Sequence, residues 1–241
     1  MLNKDYKLIT EKLVGWIQQK VKEAGCKGVV VGLSGGIDSS VTATLCKKAF
    51  PDNTLGLIMP CESNPKDEQD AKLLADKFGI DYKVIDLGSV FNSMLDVVDV
   101  VDKQKLSRAN IKPRLRMTAL YYYSSLNNYL VVGTDNRSEL KLGYFTKFGD
   151  GGIDLAPLGN LVKSEVREVA KVLGVPEKII TKAPSAGLWA DQTDEGELGI
   201  SYEEVDNYIL TGEASSKVKE IVDTLEEKNQ HKLALPSIPN F

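Results

Sequence analysis

The sequence predicts an α/β fold: a doubly wound parallel sheet with helices on both faces. Three observations point there. Short, near-continuous apolar runs alternate with longer stretches of helical periodicity, the pattern of strands covered on both sides. The run Val29-Val30-Val31-Gly32-Leu33 passes directly into Ser34-Gly35-Gly36-Ile37-Asp38-Ser39-Ser40, which reads as strand, tight turn and helix start in one stretch. The 241 residues suit one large domain, or one with a small helical appendage, and a chain of that size buries roughly 70–75% of its unfolded surface.

Element by element, Leu8, Leu13, Val14, Ile17 and Val21 mark one side of an opening amphipathic helix. Val29 to Leu33 is the first strand and Ser39 to Phe50 the helix after it. Leu55 to Met59 is the second strand, Asp67 to Phe78 the second crossover helix, and Tyr82 to Leu87 the third strand. Val90 to Val101 reads as helix, with a β-branched ambiguity. Asn110-Ile111-Lys112-Pro113 opens a long helix, since proline is tolerated in a first turn. Its stripe is Leu115, Ala119, Tyr122 and Leu126, with Arg114 and Arg116 projecting elsewhere. Tyr129 to Thr134 is the fourth strand. A glycine-rich loop (Gly149, Gly151, Gly152), a helix from Ser164 to Leu173, a Pro/Gly/acid-rich segment from Ala183 to Gly199, and helices at Tyr202–Leu210 and Ser215–Lys228 complete the chain. There is no internal repeat and no linker long enough to separate two domains, so residues 1–241 read as a single unit.

Thirty basic against 34 acidic residues give a net charge of −4, and no basic tract exceeds a pair. That balance disfavours nucleic acid as the main partner. Cys26, Cys46 and Cys61 show no C-x-x-C and no metal spacing, which suits reduced thiols in a cytoplasmic protein. Cys46 fits a buried helix face; Cys61, just past a strand end, reads as a mildly exposed bystander. The N-terminus has no apolar signal core and no run approaches eighteen apolar residues, so no membrane association is expected.

The Ser-Gly-Gly turn carries the chemistry. Glycines let backbone amides approach phosphate oxygens without a Cβ in the way. The next helix offers unpaired N–H groups and the positive end of its dipole to the same anion, and Ser34, Ser39 and Ser40 can add donors. Asp38 would repel phosphates unless a cation, ordinarily Mg²⁺, sits between. The pattern is neither Gly-x-x-x-x-Gly-Lys-Ser/Thr nor Gly-x-Gly-x-x-Gly. It resembles the SGGxDS loop of the ATP pyrophosphatase superfamily, whose members hold the β,γ-pyrophosphate of ATP and break the bond at the α-phosphorus. The competing reading is an ordinary capped strand–helix turn. Ligands of doubly wound sheets sit where strand order reverses, so the loops after the first and fourth strands should be neighbours. Gly133-Thr134-Asp135-Asn136-Arg137-Ser138-Glu139 then faces the Ser-Gly-Gly loop, and Glu139 becomes a second carboxylate for the cation. Otherwise Thr134 and Asp135 cap a helix and Glu139 is a solvated helix residue.

From Gly133 onward the order of motifs resembles the ammonia-dependent NAD synthetases. The pieces are Gly133-Thr134-Asp135 with Glu139, Gly143-Tyr144-Phe145-Thr146-Lys147-Phe148-Gly149-Asp150-Gly151-Gly152-Ile153-Asp154, Pro157-Leu158 with Lys163, Lys182-Ala183-Pro184-Ser185-Ala186-Gly187-Leu188, Asp194 to Tyr202, and His231-Lys232. With Asn110 to Met117 added, the likeness covers nearly the whole chain. It implies a Rossmann-like, adenine nucleotide alpha-hydrolase-like sheet and one reaction: deamido-NAD, ATP and ammonia give NAD, AMP and pyrophosphate. It further implies that Gly32, Leu33, Ser34, Gly35, Gly36, Ile37, Asp38 and Ser39 hold ATP with Thr134, Lys163 and Ser185, the last in place of a more usual threonine. Asp38 and Glu139 would ligate Mg²⁺, and Asp38 and Lys163 would be catalytic. Arg114, Lys147, Asp154, His231 and Lys232 would contact deamido-NAD, with Phe145 and Phe148 as a stacking wall or as core. The segment 183–199 would be a lid that keeps water from the acyl-adenylate. A homodimer is expected on the same resemblance.

Other members of the superfamily fit less well. Relatives of GMP synthetase and asparagine synthetase attach a glutaminase, and glutamine-dependent NAD synthetases a nitrilase-like domain; this chain opens on a helix and is expected to have room for neither. Thiolating members want a cysteine pair and a basic RNA face. A nucleotide-sensing module would lack the pyrophosphate loop and its carboxylate.

Overall fold

Strands and helices alternate over residues 6–97, with caps such as Asp5 and Asn64 and a left-handed Gly79 marking helix ends. The computed structural model describes residues 4–98, 105–185, 187, 189, 192–239 and 241. Helix α1 (Tyr6–Glu23) is capped by Asp5, whose side chain accepts from the Leu8 amide. Strand β1 (Gly28–Gly32) leads into α2 (Ile37–Ala49), β2 (Thr54–Ile58) into α3 (Pro65–Phe78), and β3 (Asp81–Val84) into α4 (Gly88–Val97). Short α5 (Lys105–Ala109) precedes α6 (Ile111–Asn127), which ends on left-handed Asn128 and turns into β4 (Tyr129–Val132). Beyond β4 come α7 (Arg137–Leu142), α8 (Lys163–Leu173), α9 (Glu177–Ile180), α10 (Asp194–Leu198), α11 (Tyr202–Thr211), α12 (Ser216–Asn229) and a 3₁₀ turn, Gln230–Lys232.

All strand pairs are parallel, in the order β3-β2-β1-β4. The chain therefore leaves β1 in one direction toward β2 and β3, and returns to the other side of β1 as β4. The reversal lies between β1 and β4, which sets the loops after those strands side by side as the motif order requires. Successive residues of β1 serve opposite faces: Val29 and Val31 join the cluster formed with α1, α2 and α8, while Val30 joins Leu57, Val131 and Phe91 beneath α6. A third cluster binds α7, α11 and α12 through Leu142, Val205, Val218 and Val222, which is the helical appendage.

Several boundaries and burials differ from the sequence expectation. β3 stops at Val84 and is mostly exposed, as an edge strand is, although Ile85 and Leu87 still donate to Ile58 and Pro60. That continued pairing covers Cys61, which is fully buried and not a mildly exposed bystander. Arg116 points away from the stripe, and it turns in: its guanidinium donates to the Met59 carbonyl and the Ser63 hydroxyl, both at 3.1 Å. α4 ends at Val97, and the expected continuation over 99–101 falls outside the described residues, as do 186, 188, 190 and 191 of the expected lid.

Candidate active site

The turn after β1 folds around its own hydroxyls. Gly35 adopts φ +76°, and the Ser39 and Ser40 hydroxyls donate to the Gly36 carbonyl at 3.0 and 2.7 Å. Ser34 Oγ lies 2.9 Å from Ser39 Oγ, and the Gly36 amide points at Ser34 Oγ from 3.3 Å. Gly36 is the N-cap of α2 and supplies no side-chain cap, so the first-turn amides of α2 face the turn's mouth. Gly32, Leu33 and Ile37 line the turn through backbone; the Leu33 and Ile37 side chains are core.

Across the strand-order reversal, α7 begins with a capping box. Asn136 Oδ1 accepts from the Ser138 and Glu139 amides, and Glu139 Oε2 accepts from the Asn136 amide. The two halves of the site meet through the same residues. Asn136 Nδ2 donates to Asp38 Oδ1 at 2.9 Å, and Lys163 Nζ lies 2.6 Å from Asp38 Oδ2 and 3.0 Å from Glu139 Oε1. Glu139 is thus both the cap acid and a carboxylate of the site; the cap residue is Asn136, not Thr134 or Asp135, and Glu139 is not a solvated helix residue.

Lys163, the first residue of α8, is buried, at 2% exposure. Asp206 of α11 fixes that helix end by accepting from the Ser164 amide at 2.7 Å, the Lys163 amide at 3.3 Å and Ser138 Oγ at 2.6 Å. The Tyr202 ring lies 4.9 Å from the ammonium. Burial works against the charge on Lys163, but Asp38 and Glu139 overcome it and raise its proton affinity. It is a fixed cation. Burial lifts the Glu139 carboxyl from 4.5 to about 7, with Lys163 drawing it down and Asp38 pushing it further up. Asp135 is raised well above its ordinary range by burial and by Asp150, Glu139 and Asp38, and its Oδ2 has no partner among the described residues. Asp150, held by the Thr146 amide, is raised by burial too.

Asp38 and Glu139 are hard oxygen donors already sharing one cation, so their chemistry fits a divalent ion that shares phosphate oxygens. No third His, Cys, Asp or Glu completes a protein cage among the described residues.

A second, basic group lies along the start of α6 and the C-terminal turn. Arg114 donates to the Lys147 carbonyl at 3.4 Å, Lys147 Nζ reaches the His231 carbonyl, and Lys232 Nζ bonds the Gly143 and Phe145 carbonyls at 2.6 and 3.0 Å. Phe145 is buried there and Phe148 is exposed, so only one of the two is core. Asp154 spans β4 and α6, accepting from the Val131 amide at 2.8 Å and the Tyr121 hydroxyl at 3.0 Å. Thr134 lies two residues beyond the end of β4, half-buried. Ser185 is exposed and accepts from the Gly187 amide at 3.1 Å; among the described residues no hydrogen bond ties it to the Ser-Gly-Gly turn. Asn136, Asp206, Tyr202 and Lys182 went unassigned in the sequence. Asn136 left a local signal, the Asn-x-x-Glu spacing of its cap, and Lys182 and Tyr202 stood within motifs of the resemblance without a role; Asp206 left none.

The sequence pattern of NAD synthase matches residues 9–236, nearly the full span over which these two groups are assembled. The chain belongs to the NAD synthase family. Among curated NAD synthetases, the NH₃-dependent NAD⁺ synthetase of Carboxydothermus hydrogenoformans is 54% identical over 95% of this chain and 96% of its own. That of Finegoldia magna is 50% identical over 95% and 94%. Among solved structures, the NMN synthetase of Francisella tularensis superposes with a TM-score of 0.95 at 40% identity, covering 99% of this chain and all of its own. The NH₃-dependent NAD synthetase of Campylobacter jejuni gives 0.82 at 37%, covering 98% and 100%. NAD synthetases therefore share this parallel sheet, and the family is one of ligases.

Proposed function

We propose that this chain amidates deamido-NAD with ammonia at the expense of ATP, forming NAD, AMP and pyrophosphate, the last step of NAD biosynthesis. The observation that carries the reading is the pairing of an open α2 N-terminus at the Ser-Gly-Gly turn with a buried ammonium held between Asp38 and Glu139. The first provides amide donors for a departing pyrophosphate. The second provides charge beside the α-phosphorus.

A nicotinate carboxylate is a poor electrophile, so it first attacks the α-phosphorus and becomes an acyl-adenylate. The turn amides, with Ser34 and Ser39, hold the β,γ-phosphates against the dipole of α2. Lys163 stays protonated and stabilises charge that builds on the α-phosphate as the adenylyl group is transferred. Asp38 and Glu139 would hold Mg²⁺, which neutralises phosphate charge when bound. Thr134 and Ser185 would complete the ATP site. Arg114, Lys147, His231 and Lys232 would receive the anionic dinucleotide, with Asp154 at its ribose. Ammonia then displaces AMP from the mixed anhydride. We place the protein in the cytoplasm as a homodimer, supported by exposed Tyr122 and Leu126 on α6; no helix among the described residues is long and apolar enough to cross a membrane.

The test supplies Mg-ATP, ammonium and deamido-NAD, and in parallel nicotinate mononucleotide, whose amide is the product named for the Francisella relative. NAD and AMP in equal amounts are expected from deamido-NAD. Preference for the mononucleotide overturns the substrate, and equal turnover with glutamine overturns the amine source. Asp38→Asn should lower kcat by about a thousandfold while the fold persists.

A further inference from the structure

Lys182 has no part in the reaction derived above, yet its ammonium reaches the turn that would hold ATP. Its Nζ lies 3.3 Å from the Gly35 carbonyl oxygen, 2.7 Å from Asp67 Oδ1 and 2.9 Å from Asp70 Oδ2, so all three of its N–H donors are engaged. Asp67 and Asp70 stand on the first turns of α3, and Lys178 holds Asp70 from the other side at 2.7 Å. Gly35 lies flat on that helix: a Cβ there would come 2.2 Å from the Asp67 carbonyl oxygen.

The consequence follows from peptide geometry. The Gly35–Gly36 bond is trans, so its C=O and N–H point in opposite directions. Holding the Gly35 carbonyl outward on Lys182 turns the Gly36 N–H inward, toward Ser34 Oγ, itself 2.9 Å from Ser39 Oγ. Two glycines in succession leave this peptide free to rotate unless something holds it. The Lys182–Asp67 pair is about a third exposed, and an ion pair of that kind contributes little to folding.

We propose that Lys182, fixed by Asp67 and Asp70, is a positioning residue that sets the Gly35–Gly36 peptide so that the Gly36 amide faces the triphosphate. This rests on the Ser-Gly-Gly turn being the ATP site. The residue touches no reacting atom; it lowers the cost of ordering the turn around the pyrophosphate.

Lys182→Met keeps the stem and removes the donors. In the full-length protein, Mg-ATP binding measured calorimetrically without the other substrates, and KM for ATP in turnover, should both weaken about tenfold, the loss of one oriented hydrogen bond. KM for deamido-NAD and for ammonium, and the melting temperature, should stay near wild type. Lys182→Arg should restore most of the ATP affinity. Asp67→Asn, which loosens Lys182 without altering it, should shift ATP affinity in the same direction by less, and keeps the idea testable if Lys182→Met fails to fold. Unchanged ATP affinity in both variants overturns the proposal. So does a parallel rise in every KM together with a lower melting temperature, which marks a merely structural role. A wild-type protein that binds no Mg-ATP sinks the underlying assignment of the turn instead, whatever the variants do.

Discussion

Lys163, Asp38 and Glu139 form a triad whose charges do not balance: one buried ammonium against two carboxylates, at 2.6 and 3.0 Å. Buried charges are tolerated only while paired, and removing one member leaves the other uncompensated. Lys163→Met strands two carboxylates side by side. It should abolish adenylation and lower unfolding stability by about 3–5 kcal/mol, read from denaturant titration. Glu139 answers differently. Its folded value, about 7, lies above the 4.5 of an exposed glutamate. The folded state therefore keeps its proton longer than the unfolded chain, and stability contributed by the protonated form is lost as pH rises through that window. Melting temperatures of the metal- and nucleotide-free protein from pH 5 to 8 should fall with a slope that Glu139→Gln flattens. Equal slopes in the two proteins would show that Glu139 ionises in the ordinary range.

At the level of elements, the site depends on helix ends, because a helix end presents several backbone donors in one direction. α2 keeps its end open. α7 and α8 close theirs, α7 with Asn136 and Glu139, α8 with Asp206 from a distant helix. Asp206 is nearly fully buried and accepts from three donors, two on α8 and one on α7. Asp206→Ala should cost about 2 kcal/mol. It should also reduce kcat, since α8 carries Lys163 at its first position. A melting curve and a turnover assay on the same preparation check both, and unaltered turnover would show that Lys163 is placed without this cap.

Over the whole molecule, the α6 face carries Tyr122 and Leu126, each more than 60% exposed, and Tyr122 meets Tyr123 edge-on at 5.2 Å. Large apolar side chains grouped on one helix face are where a second copy would sit. Tyr122→Glu with Leu126→Glu should shift a dimer to monomer in light scattering without lowering the monomer's helical content. A wild-type protein that is already monomeric would remove the argument. The parallel sheet, its crossover helices and the Ser-Gly-Gly turn were legible in the chain, because apolar periodicity and glycine placement are local signals. α5, α9 and α10 were missed, each five residues or shorter and thus without a full amphipathic repeat. Cys61 was misplaced because the backbone that covers it, at Leu87 beyond β3, is remote in sequence.

By itself the sequence determined the class of fold and the turn that suits phosphates, and it offered Asp38 and Glu139 as carboxylates near that turn, with Lys163 entering only through the family resemblance. Tertiary structure alone decided that one ammonium joins the two carboxylates, that Asn136 and Asp206 lock the helices bearing them, and that Lys182 holds the Gly35 carbonyl. Backbone conformation follows mostly from neighbours in the chain, whereas electrostatic partnership depends on distances that exist only once strand order and helix packing have brought residues 125 positions apart to 2.6 Å.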